Sequence, residues 1–359
     1  MDLGRRPPSA APPVIREHGP LLVIIAIYTG SALIADLLGI VPGLTANVLF
    51  LSSYLFYGFI ALYSVAALAV VCRLSVKDER GRWIAGRAGW GAGWARLRTR
   101  FLTRQRLGGF VIASVAVPVL MNTFGSWKAA LPRIHAFRFD ETLTRLDAEL
   151  HFGRLPWQWL QSVLGHPPVT VAIDALYYCW LVLLTGVVVW QAWSERRELR
   201  ARFFISFALI WCLLGSVAAI AFSSAGPCYY ALVTGNASPY ADLMAYLNLV
   251  DRTHPLTALY VQGALWNDYA HATATPFTGI SAMPSLHVAM PVLFALLGGQ
   301  VHRILGAAFS AFAAVVLLGS VHLGWHYAID GYLSIAGVVA IWWLSARIVR
   351  RYCGFPGAM

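Results

Sequence analysis

Apolar residues in this chain fall in long unbroken runs, neither alternating with polar residues nor confined to one helical face. Crossing a hydrocarbon layer of about 30 Å takes about 20 apolar residues in a helix. Eight stretches meet that length, at roughly 20–41, 47–72, 107–126, 169–193, 203–225, 284–300, 304–323 and 326–347, the sixth being the shortest. A backbone in lipid must satisfy its own hydrogen bonds, which restricts spanning segments to helices or closed barrels. The pattern therefore predicts an all-α, polytopic membrane helix bundle of about eight spans. The opening stretch MDLGRRPPSAAPPVIREHG is Pro-rich and polar and lacks the small-residue cleavage site of a signal peptide, so 1–19 reads as a disordered tail. No internal repeat is visible.

Two connecting segments are too long to be simple turns. Residues 127–168 mix charged positions with Phe137, Phe139, Leu143, Leu146, Leu150 and the run LPWQWL, a pattern suited to short helices lying in the membrane interface. Residues 226–280 are polar and aromatic, with Asp242, Asp251 and Asp268 and a single cation, Arg252. Loops of this length are usually functional or disordered, and their aromatic content favours order.

Composition sharpens the picture. Hydrophobic residues make up 58% of the chain and charged residues 12%, with a mean hydropathy of +0.64. Soluble domains carry about 25% charged residues, so a soluble fold is excluded. The net charge of +11 does not indicate nucleic-acid binding, because the basic residues lie between apolar runs. Fourteen Trp, 15 Tyr and 18 Phe fit an interfacial aromatic belt. The five cysteines, at 72, 179, 212, 228 and 353, show neither paired spacing nor a CxxC, so neither a disulfide framework nor a zinc site is indicated.

Charge asymmetry orients the spans, since cytoplasmic loops are rich in Lys and Arg. With the basic 73–106 loop inside, 21 of the 27 basic residues fall on the cytoplasmic side, leaving Lys128, Arg133, Arg138, Arg145, Arg154 and Arg252 outside. The expected topology is N-in, C-in. The organisation becomes a tail (1–19), N-terminal spans with a basic cytoplasmic loop (20–126), a membrane domain carrying the chemistry (127–349) and a cytoplasmic tail (350–359).

Of ten histidines, only His18 and His302 fall on the inner side. His135, His151, His166, His254 and His271 read as solvated loop residues, but His287 and His326 sit in motifs. Met283-Pro284-Ser285-Leu286-His287 opens the sixth span. Ser before a helix is an ordinary N-cap, yet a helix start in a low-dielectric setting also attracts anions. There Ser285 adds a hydroxyl donor and His287 a proton. The second motif, His322-Leu323-Gly324-Trp325-His326-Tyr327-Ala328-Ile329-Asp330, joins the last two spans. His326 and Asp330 are four apart and share a helix face. A carboxylate on one ring nitrogen fixes the tautomer and frees the other as nucleophile or base. A structural His–Asp pair, or a metal held by His322, His326 and Asp330, are the alternatives, but one helix face rarely supplies three ligands. By the span count both motifs, Gly226-Pro227-Cys228-Tyr229-Tyr230 and Lys128 all meet the outer interface, as do the intramembrane Asp36 and Asp174.

PSLH followed by HxxxD at a span boundary resembles the type 2 phosphatidic acid phosphatase superfamily. The GPCYY, SAMPSLHVAMP and LGWHYAID wordings, with Lys128-Ala-Ala-Leu-Pro132 and FDETLTRLDAELHFGRLPW, resemble more narrowly its inositol phosphorylceramide synthase-like branch. The resemblance covers about 125–345. It implies metal-independent phosphoryl transfer with no cofactor: His326 as nucleophile, Asp330 on its other nitrogen, His287 as general acid, and Ser285 and Lys128 on the phosphoryl oxygens. Gly226, Tyr229, Tyr230 and His322 are assigned to substrate binding. The chain departs from the phosphatase pattern at two arginines: Lys128 is followed by Pro132-Arg133 in place of a later Arg-Pro, and Gly319-Ser320 replaces Ser-Arg. Arg133, Arg138 and Arg252 are candidates to substitute.

The leading reading is a lipid phosphotransferase moving a phosphorylated head group from a phospholipid to a lipid hydroxyl, with membrane lipids as both donor and acceptor. Its active site would face the extracytoplasmic side of a plasma or inner membrane. A lipid phosphate phosphatase is the alternative. A non-enzymatic transporter would give Asp36 and Asp174 a polar path but leaves the two histidine motifs unexplained.

Overall fold

A computed structural model describes residues 14–41, 103–237, 239–271, 279–353 and 355, with isolated positions (Gly58, Ala61, Ser64, Val65, Arg98 and Thr99) between the first two segments. Among the described residues every regular element is a helix. In chain order these are α1 (Val14–Leu37), α2 (Arg104–Ile134), α3 (Asp140–Leu150), α4 (Pro156–Leu164), α5 (Pro167–Ala192), α6 (Arg197–Ala221), α7 (Tyr230–Thr234), α8 (Ala241–Asp251), α9 (Thr257–Ala270), α10 (Leu286–Val301), α11 (Arg303–His322) and α12 (Ala328–Tyr352).

Six of them, α1, α2, α5, α6, α11 and α12, are long and apolar enough to cross a membrane, and α10 is a shorter apolar helix. These correspond to seven of the apolar runs; the run 47–72 lies outside the described residues. The chain is an integral membrane protein built as a helical bundle. The short helices α3, α4, α8 and α9 occupy the two long connecting segments.

Helix limits differ from the hydropathy reading where polar residues are tied down. Val14–Gly19, read as the end of a disordered tail, are helical because Glu17 is fully buried between two arginines. Helix α2 runs on past 126, through Pro132 to Ile134, so Lys128 lies within it rather than at its end. Helix α6 starts at Arg197, taking in the basic stretch expected to be a loop.

Helix α6 is central: 72% of its apolar window is buried, against 28% for α1. Residues Ile210–Ala218 within it form a π-helical segment, a local widening that often marks functional regions. There Gly215 leaves room for Leu286 and Phe124, to which a Cβ would come within 2.9 Å. Ser216 meets the Tyr28 hydroxyl at 2.6 Å, tying α1 to the same level.

The end of the bundle where α6 begins is held by charge. Glu17 accepts from Arg197 Nε at 2.7 Å and from the fully buried Arg200 at 2.6 Å, and Arg200 also donates to the Ser194 carbonyl. Arg106 pairs with Glu195 beside them. Gly109 lets the Arg200 guanidinium pass, since a Cβ would lie 2.7 Å from it. Breaking a buried pair strands a charge and costs about 3–5 kcal/mol. Glu17→Gln should therefore lower stability by that order in thermal unfolding in detergent. Glu149→Gln, which removes the exposed Arg145–Glu149 pair, should cost less than about 1 kcal/mol.

Candidate active site

The other end of α6, about 37 Å away at 1.5 Å per residue, opens into an irregular segment, residues 223–226, and a 3-10 turn, Pro227–Tyr229, which together touch both histidine motifs. The Ser223 carbonyl accepts from the Arg138 and Phe139 amides, and its hydroxyl donates to the His135 carbonyl. The Ser224 carbonyl and hydroxyl accept from the Ala282 and Met283 amides, holding the approach to α10. The Cys228 amide donates to the Gly324 carbonyl, holding the approach to α12. Gly226, with φ 105°, packs so closely that a Cβ would lie 2.7 Å from the Trp325 carbonyl oxygen. Only glycine fits both demands.

This scaffold sets α10 and α12 side by side, with the Ser285 amide directed to the Asp330 carbonyl. His326 is 4% exposed; its Nδ1 lies 3.3 Å from Asp330 Oδ2, and its Nε2 lies 3.3 Å from His287 Nδ1. Both contacts are satisfied when His326 Nδ1–H donates to Asp330 and His287 Nδ1–H donates to His326 Nε2. That tautomer leaves a basic Nε2 on His326, the form a nucleophile needs. His287 is walled by rings: Tyr177 stacks on it at 5.2 Å, Trp180 meets it edge-on at 4.8 Å, and Trp325 lies near-parallel at 6.4 Å. Lys128 is near enough for its charge to act on His287.

Two carboxylates that the sequence reading did not single out hold the His326–Asp330 turn. Asp147 accepts from the Ala328 amide at 2.7 Å and the Ile329 amide at 2.9 Å, capping α12 from across the fold. Asp140 accepts from the Ala225 and Gly226 amides and, at 2.7 Å, from the Tyr327 hydroxyl. Burial pushes both carboxyls above the ordinary carboxylate range, against the pull of these hydrogen bonds. In α3 the buried stripe is Asp140, Leu143 and Asp147, while Leu150 is exposed. Acids at i and i+7 flanking an apolar residue at i+3 were the available signal; a Leu-only apolar face hid it.

The sequence candidates divide accordingly. His326, Asp330 and His287 come together. Ser285 caps α10, accepting from the Val288 amide at 3.3 Å, one residue before the His287 turn. Lys128 packs against Gly279, where a Cβ would meet its carbonyl oxygen at 2.6 Å. Gly226 acts through its backbone. Tyr229 instead donates to the Gln262 carbonyl and stacks on Trp266, and Tyr230 turns its ring to Tyr240. His322 is fully buried with Nε2 2.9 Å from the Thr170 hydroxyl, apart from the histidine pair. Among the described residues no cluster of three His, Cys, Asp or Glu side chains is arranged to hold a metal. Asp174 accepts from the Thr257 and Ala258 amides at the start of α9, which removes it from any polar path. Arg133, Arg138 and Arg252 are exposed.

Asp147→Asn would set an amide against one of two backbone N–H donors. Charge-assisted bonds of this kind contribute about 1.5–3 kcal/mol each. The variant should lose roughly that much stability and at least about tenfold in turnover, whereas Asp242→Asn, on the exposed face of α8, should change neither. Parallel unfolding and activity assays decide it.

A family model described as the PAP2 superfamily matches residues 141–346. Comparison with curated proteins gave no match, and comparison with solved structures gave none. The match takes in Asp147 and both histidine motifs, and begins one residue after Asp140. Members of the superfamily are typically phosphatases or phosphotransferases. Spanning more than half of the chain, the match shows that this integral membrane protein belongs to the PAP2 superfamily of phosphatases and phosphotransferases.

Proposed function

We propose that the chain is a lipid phosphotransferase of the inositol phosphorylceramide synthase-like kind, moving a phosphorylated head group from a phospholipid to a lipid hydroxyl. The observation that carries this reading is the alignment of Asp330, His326 and His287 at 3.3 Å spacings. His326 Nε2 attacks phosphorus while the phosphorus–oxygen bond to the donor's glycerol breaks, and His287 gives its proton to the departing oxygen. The acceptor hydroxyl then attacks the phosphohistidine, its proton returns to His287, and the nitrogen–phosphorus bond breaks. Asp330 stabilises the cationic ring through Nδ1, and Lys128 and Ser285 meet the phosphoryl oxygens.

Transfer is favoured over hydrolysis by the enclosure of the pair. His326 is nearly buried and Tyr177, Trp180 and Trp325 wall His287, which keeps water from the second step. The proposed chemistry calls for no divalent ion: among the described residues the carboxylate beside the histidines, Asp330, is engaged by a ring and a backbone N–H rather than arranged in a hard-oxygen cage. The site faces the extracytoplasmic side, a placement supported by the uneven distribution of basic residues.

An acid-labile phosphoenzyme assay with an activated nitrophenyl phosphodiester tests the roles. His326→Ala should abolish phosphoenzyme. His287→Ala should slow turnover of natural lipid by roughly 10²–10⁴ yet retain phosphoenzyme with the activated donor, whose leaving group needs little protonation. Loss in His287→Ala with retention in His326→Ala would reverse the assignment. Activity in excess chelator should be nearly unchanged, and a strict magnesium or zinc requirement would sink the mechanism.

Sidedness is tested by cysteine labelling in cells. A cysteine at Tyr260, 78% exposed, should react with an impermeant reagent from outside, and one at the exposed Glu198 should not. The opposite pattern would place the site on the cytoplasmic face.

A further inference from the structure

Close to the histidine pair lie three buried hydrogen-bond donors whose capacity the fold leaves largely unused. The Tyr177 hydroxyl, the Tyr178 hydroxyl and the Trp325 indole N–H make no well-formed hydrogen bond to a described residue, although the indole and the Tyr178 hydroxyl lie close enough to interact. Tyr177 is 1% exposed. Its ring is stacked on His287, and Gly319 of α11 gives it room, a Cβ there lying 3.5 Å from the Tyr177 ring and 3.0 Å from Ile173. The Tyr177 and Tyr178 hydroxyls are electrostatic neighbours of each other and of Cys228. The Trp325 indole approaches Tyr178, one residue before His326.

A hydroxyl or amide-like donor buried without an acceptor costs about 1–3 kcal/mol on the scale of protein mutations, and native folds keep few of them. Three within one neighbourhood, all beside the reacting nitrogens, form a set that an acceptor-rich ligand would satisfy. We propose that Tyr177, Tyr178 and Trp325 form a neutral donor subsite that binds the non-bridging oxygens of the phosphoryl group undergoing transfer. The assignment rests on the phosphoryl-transfer reading given above.

The charge around the pair favours phosphoryl oxygens over other acceptors. Lys128 is the cation whose charge acts on His287, whereas Arg133, Arg138 and Arg252 are exposed. With so few cations, much of the stabilisation of a pentacoordinate transition state must come from preoriented dipoles. Such donors act strongly in a water-poor site because they need no reorganisation as charge develops. Phosphoryl oxygens are acceptors only, which matches a set made of donors.

Orthovanadate, an oxyanion that mimics the transferring group and carries no head group, separates the possibilities. Its inhibition constant would be measured for wild type, Tyr177→Phe, Tyr178→Phe and Trp325→Phe, with Tyr260→Phe on the exposed surface of α9 as control. The two Tyr→Phe changes keep the ring and Trp325→Phe keeps a smaller aromatic one, and thermal unfolding of each variant verifies that packing persists. Removing one donor to an anion should weaken vanadate roughly tenfold to a hundredfold in at least Tyr177→Phe and Trp325→Phe, and leave the control unchanged. An unchanged inhibition constant in all three variants of an active enzyme overturns the subsite. So does a rise confined to the KM of a donor with a hydroxylated head group, which would assign these donors to that head group instead. If wild type shows neither turnover nor inhibition, the phosphoryl-transfer reading itself fails and takes the subsite with it.

Discussion

A helix that starts inside an apolar bundle exposes N–H groups with no partner in their own helix, and no water is at hand to replace one. This fold meets the problem with carboxylates sent from other elements. Asp147 on α3 caps α12, Asp174 on α5 caps α9, and Asp140 on α3 gathers the amides of Ala225 and Gly226 together with the Tyr327 hydroxyl. Placing an acid in such surroundings is costly, and burial duly raises the Asp140 and Asp147 carboxyls. Two backbone N–H donors each, with the Tyr327 hydroxyl as a third donor to Asp140, offset that cost. The shape of the His326 turn therefore depends on α3 packed against it.

That dependence explains what could be read from the chain directly. The spans were legible because lipid demands about 20 apolar residues whatever the partners. The helix ends were not, because Glu17, Asp140 and Asp147 fix them through residues more than 80 positions away. His326 and Asp330 were legible as a pair because a spacing of four is a local property of a helix, and His287 because it follows an N-capping Ser. The Gly226–Tyr230 motif drew attention to tyrosine side chains, yet its contribution near the histidines is backbone: a glycine that admits the Trp325 carbonyl and amides that point at Asp140. Tyr177, Trp180 and the π-helical turn of α6 had no motif to announce them, since each matters through contacts with other helices.

The two ends of α6 divide the work of holding the bundle. At one end, full charges pair: Glu17 with Arg197 and Arg200, and Arg106 with Glu195. At the other, charges meet backbone dipoles and rings. A buried ion pair is strong only while both partners stay in place, which suits an anchor. Carboxylate caps position a turn through backbone N–H groups and leave no paired cation to be stranded, which suits a site.

The scarcity of cations near the pair follows from the same economy of charge. Two like charges about 4 Å apart repel by about 4 kcal/mol at an effective dielectric of 20, so every cation added next to His287 opposes the protonated ring that general acid catalysis requires. Aromatic faces do the reverse, because a ring quadrupole attracts an imidazolium laid against it. Tyr177 and Trp325 lie near-parallel to His287, supplying that face while their polar ends remain available to an anion. In the proposed mechanism Lys128 would be the cation for the phosphoryl group, and neutral donors would add stabilisation without adding repulsion to the His287 ring.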